Sequence, residues 1–203
     1  MKNIFKTQTL YLIPEIGVPG TGIVSEADEN LARKILHTFS SSTPVDLVIS
    51  STDKCALQTA QIALDDIAKH DEESPALLLA PDEDRTGSEE YNWIVNKVRQ
   101  ENHFPDKLHF SEILLGPANS YIWEKVNEAI ISCKGIVEDC ENVKHLAIVA
   151  DAVILHGILE FLREEGDEIP DNAEELMGPG SYIKIEYDKD FFEWAQVSLK
   201  KAA

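Results

Sequence analysis

Apolar residues along this chain follow two rhythms. Short unbroken runs, Thr9 to Pro14 (TLYLIP), Asp46 to Ser50 (DLVIS), Ala76 to Ala80 and His145 to Ala150 (HLAIVA), have the length and composition of strands buried on both faces. Between them, apolar positions recur at helical spacing. Leu31, Ile35, Leu36 and Phe39 predict a helix from about Glu26 to Phe39, entered through a capping signal at Ser25 and Asp28. Ser51 or Thr52 is placed to cap a second helix, about Asp53 to Lys69. Tyr91, Ile94, Val95 and Val98 mark one helix in the middle of the chain, and Trp123, Val126, Ile130 and Ile131 mark another. A further helix, Ala152 to Leu162, ends near Gly166. Tyr182 to Tyr187 alternates, with Lys184 and Glu186 facing away from the core. Asp188-Lys189-Asp190 then leads to Phe191 to Val197, which predicts a terminal hairpin.

Strands that alternate with helices specify an α/β chain: a three-layer α/β/α sandwich on a mostly parallel sheet, with a C-terminal antiparallel hairpin covering one edge. The whole chain, 1–203, is expected to form one domain with a helical insertion at about 82–140. In such sheets ligands gather beyond the carboxyl ends of the strands. The corners after Pro14, Ser50 and Ala150, each a passage from strand to helix, are therefore where function is to be sought.

Charge narrows the partners. With 37 acidic against 18 basic residues the net charge is -19, a field that repels nucleic-acid phosphates and anionic lipid, so neither nucleic acid nor a membrane surface is expected as a partner. The acidic runs Asp71-Glu72-Glu73, Asp82-Glu83-Asp84 and Arg163 to Glu175 read as solvated surface. Cys55, Cys133 and Cys140 form neither an even disulfide framework nor a CxxC metal pair, which suits a reducing cytoplasm. The apolar stretches are too short or too interrupted for a targeting or spanning segment.

The three corners, in order, resemble the histidine phosphatase (phosphoglycerate mutase-like) superfamily. Its members carry Arg-His-Gly after the first strand, an SSxxxRAxQTA segment at the second, and a histidine-led segment later. The second corner here reads Ser50-Ser51-Thr52-Asp53-Lys54-Cys55-Ala56-Leu57-Gln58-Thr59-Ala60, keeping both serines, Ala56 and Gln58-Thr59-Ala60 in register. The third, Val149-Ala150-Asp151-Ala152-Val153-Ile154-Leu155-His156-Gly157-Ile158-Leu159, is similar in hydrophobic register to the family's V-S-H-A-G-V-I-R-A-L-L. The closing hairpin also resembles the family's C-terminal end, so the likeness spans nearly the whole chain.

The resemblance implies a phosphate pocket, and the chain departs from it at each catalytic position. In the family the first histidine takes the phosphoryl group, and the arginines and later histidine surround the phosphate. Phosphoryl transfer spreads negative charge over the transferring oxygens, so the pocket must be rich in cations and donors. Here the Arg-His-Gly positions become Pro14, Glu15 and Ile16, the second arginine becomes Cys55, and the later histidine becomes Asp151. Glu15 and Asp151 would repel phosphate, and Pro14 and Cys55 lack the guanidinium fork. The family's acid-base glutamate would correspond to Asp82 or Glu83, whose surrounding residues do not fix the register.

No substitute nucleophile is evident. His156 lies five residues after Asp151, roughly 140° round a helix, and His70, His103, His109 and His145 fall outside the corners. Cys55 lies near a predicted helix N-terminus, which can lower a thiol pKa, but the carboxylates beside it would act the other way. Two carboxylates seldom suffice to hold Mg²⁺, so neither metal nor cofactor is expected. The sequence thus favours a degenerate, non-catalytic binding or regulatory protein. Its ligand would be another protein or a small uncharged or cationic molecule, held around Glu15, Ser51, Cys55 and Asp151. The alternatives are altered chemistry with Glu15 and Asp151 as an acid/base pair, residual phosphatase or mutase-type activity, and an unrelated receiver-like domain with Asp151 as phosphoacceptor.

Overall fold

The computed structural model describes residues 8–16, 25–40, 45–51, 54–67, 76–79, 119–139, 143–164, 181–187 and 196–201. Within them lie six strands, β1 (Gln8–Pro14), β2 (Leu47–Ser50), β3 (Ala76–Leu79), β4 (His145–Ala150), β5 (Ser181–Tyr187) and β6 (Gln196–Lys201). Four helices accompany them: α1 (Glu26–Ser40), α2 (Lys54–Ile67), α3 (Asn119–Asp139) and α4 (Ala152–Glu164). The expected helix carrying Tyr91 and Val98, the acidic loop with Asp82 and Glu83, and His70, His103 and His109 lie outside the described residues, as does most of the expected insertion.

The strands form one sheet in the order β3-β2-β4-β1-β5-β6. β3, β2, β4 and β1 run parallel, while β5 is antiparallel to β1 and β6 to β5. β4 is inserted between β1 and β2, so the chain's first crossover skips one position and its later return fills it. A parallel sheet needs cover on both faces, and the continuous apolar runs of β1, β2 and β4 supply a surface for each. Tyr11, Ile13, Val48, Ala147 and Val149 meet Ala56, Ala60 and Leu64 of α2, with Leu31 of α1 against the cluster. The alternate residues Leu10, Leu12, Ile49, Leu146 and Ile148 turn to the other face, where α4 contributes Leu155, Ile158 and Leu162. This is the three-layer architecture the alternation predicts.

Local chemistry sets the helix ends. Ser25 caps α1: its Oγ accepts from the Asp28 N–H at 3.1 Å, while the Asp28 carboxylate accepts from the Ser25 N–H at 3.3 Å and from its hydroxyl at 2.6 Å. This is a capping box with aspartate in the third position. Ser51 does not cap α2: its buried Oγ makes no hydrogen bond, and its N–H instead donates to the Val149 carbonyl at 3.0 Å. The Ser51 backbone continues the pairing with β4, and α2 begins three residues later at Lys54.

On α3, Val126, Ile130 and Cys133 are buried but Ile131 is 69% exposed. One residue beyond Ile130 is about 100° round the helix, which takes Ile131 off the stripe that faces α4. At Gly157 the helices approach so closely that a Cβ would lie 2.1 Å from Val126 Cγ2. The closing hairpin is present: its described second limb is Gln196–Lys201, which overlaps the expected Phe191 to Val197 at Gln196 and Val197, while Phe191 to Ala195 lie outside the described residues. Pairing Ile183 with Leu199 and Ile185 with Val197 matches apolar positions and fixes that register. Lys184 and Glu186 share the face opposite Ile183 and Ile185, and pair with each other.

Candidate functional site

Sheet register brings the three corners together. Pro14 is the register partner of Ala150, and Ser50 that of Val149, so β1, β4 and β2 end side by side with β4 in the middle. The Glu15 N–H donates to the Ala150 carbonyl at 2.9 Å, extending the β1–β4 pairing one step past the strand. Glu15 and Asp151 therefore emerge from adjoining strands, and Ser51 leaves β2 on the other side of β4.

Each candidate residue sits in a different physical setting. Pro14 is buried at the end of β1. Glu15 is only 9% exposed. Ile16 packs in the α1/α2 side of the core, and its N–H donates to Thr59 Oγ1 at 2.9 Å. Thr59 in turn donates to the Cys55 carbonyl at 2.7 Å. One hydroxyl thus ties the first corner to the helix of the second. Thr59 was legible only as a letter in the Gln-Thr-Ala match; its role as a tie depends on a contact across 43 residues.

Cys55, the second residue of α2, has no exposed surface. A thiol so enclosed is a packing group rather than one offered to a substrate, whatever the helix dipole does. Cys133 on α3 is also buried, and burial pushes its thiol up to about 12.

Asp151 is the N-cap of α4. Its Oδ1 accepts from the N–H groups of Val153 at 2.8 Å and Ile154 at 3.1 Å, and its carbonyl accepts from Leu155 at 3.1 Å. The carboxylate is 3% exposed and fills the place, at a helix N-terminus, where an external anion would otherwise find backbone donors. An aspartate directly before an apolar helical run is a recognised cap signal, so this role was available from sequence.

The two histidines whose side chains are described, His156 and His145, do not join Glu15 and Asp151 at the corners. His156 is 1% exposed on α4, and burial, then the Arg163 charge, lowers its pKa to about 3, leaving a neutral imidazole in the core. His145 begins β4 at the opposite end of the sheet. There Asp46 Oδ2 accepts from the N–H groups of Lys144 and His145, both at 2.8 Å. Burial lowers the His145 pKa as well, against the pull of Asp46. Among the described residues no three His, Cys, Asp or Glu side chains gather to hold a metal ion. Nor is any helix among them long and apolar enough to cross a membrane.

The fold is similar to that of solved structures of the histidine phosphatase (phosphoglycerate mutase-like) type. Solved structures that the chain resembles include a mycobacterial hydrolase, at 12% identity over 96% of this chain and 89% of the other, with a TM-score of 0.58. A mycobacterial glucosyl-3-phosphoglycerate phosphatase matches at 12% identity over 97% of both chains, with a TM-score of 0.55. A mutant phosphoserine phosphatase from Entamoeba histolytica, in complex with phosphoserine, matches at 15% over 95% of this chain and 96% of its own, with a TM-score of 0.53. At such identities the likeness is one of fold. No protein-family model matches the sequence, and no curated protein matches it.

Proposed function

We propose that this chain is a histidine phosphatase-fold protein without the catalytic histidine and arginine set, serving as a cytoplasmic binding or regulatory protein rather than a phosphatase. The observation that carries the reading is the use of Asp151. At the position aligned with the later histidine stands a buried carboxylate whose oxygen already takes the first free amides of α4. Glu15, buried on the adjoining strand end, adds a second acidic group where the resemblance would place the nucleophile. Two carboxylates at this corner disfavour a phosphate and suit a cationic or uncharged ligand, including a basic segment of a partner protein.

The test is direct. Purified protein incubated with p-nitrophenyl phosphate or a sugar phosphate is expected to release phosphate no faster than buffer. Turnover that disappears in Glu15→Gln or Asp151→Asn would overturn the proposal.

A second reading makes Glu15 and Asp151 an acid/base pair acting on an uncharged or cationic substrate. The burial of both residues on adjoining strand ends favours it, since acid/base work needs two carboxyl groups enclosed together. The commitment of Asp151 to two amides weighs against it. A bell-shaped pH profile of any detected activity, with one limb removed in Glu15→Gln, would separate it from the first reading.

A further inference from the structure

No further inference is drawn: the strongest candidate, the pair of buried carboxylates Glu15 and Asp151 at the adjoining carboxyl ends of β1 and β4, belongs to the site already described, and no second feature beside it among the described residues points to a bound cation.

Discussion

The Thr59 hydroxyl accepts the Ile16 N–H at 2.9 Å, joining the turn after the first strand to the helix after the second. Because Thr59 also donates to the Cys55 carbonyl, one side chain satisfies a buried amide and fixes the spacing between two of the three corners. Thr59→Val keeps the shape and removes the hydroxyl, leaving the Ile16 N–H without its acceptor, at a cost of about 1–3 kcal/mol. Thr59→Ser should recover most of that loss. Urea denaturation of the two variants beside the parent protein checks both outcomes.

Asp151 makes a different prediction according to whether it holds the helix or does chemistry. As an N-cap it should tolerate Asn, which caps about equally well, and lose about 0.5–2 kcal/mol on replacement by Ala. Thermal unfolding of Asp151→Asn and Asp151→Ala distinguishes the cases: equal losses in both would mean that the carboxylate charge, not the cap, stabilises the corner.

Gly157 sits where α4 is pressed against α3. Alanine is favoured over glycine inside a helix by up to about 1 kcal/mol. Even so, Gly157→Ala should destabilise by about 1–3 kcal/mol, because the new methyl would overlap Val126. In a Val126→Ala background the same substitution should cost much less. A double-mutant cycle by chemical denaturation measures this coupling, and additive effects would show that the two helices do not meet here.

Acid should weaken the fold through His156. Its folded pKa, about 3, lies below the 6.5 of a solvated imidazole, so the unfolded chain takes up a proton that the folded chain refuses. The stabilising contribution of the neutral ring is whole above pH 6.5 and shrinks as pH falls from there towards about 3. The slope of this contribution approaches about 1.4 kcal/mol per pH unit. His145, also lowered, adds in the same direction. Stability measured between pH 7 and 5 should therefore fall less steeply in His156→Gln than in the parent protein, whatever the absolute stability of the variant. Parallel slopes would place His156 in solvent.

Much of this protein is determined locally. The runs that became β1, β2 and β4 are apolar without alternation because each is covered on both faces, and the sequence shows that directly. The Ser25–Asp28 box and the helical spacing of Leu155, Ile158 and Leu162 are likewise short-range facts, and so in principle is the aspartate cap at 151. The three corners could be named because each is a change of rhythm, and the resemblance at Gln58-Thr59-Ala60 set their order.

Only the tertiary structure decided how these pieces meet. No local pattern says that β4 lies between β1 and β2; that follows from pairing across more than a hundred residues, and it alone makes Glu15 and Asp151 neighbours. Ser51 reads as a cap in the sequence, but its Oγ bonds no amide of the helix that begins at Lys54, and Ile131 reads as core, but the position of α4 picks out the stripe through Val126 and Ile130. Helical and strand periods are written in consecutive residues. Contacts that depend on which surfaces face one another have no such local signature, and the acidic corner of this protein is one of them.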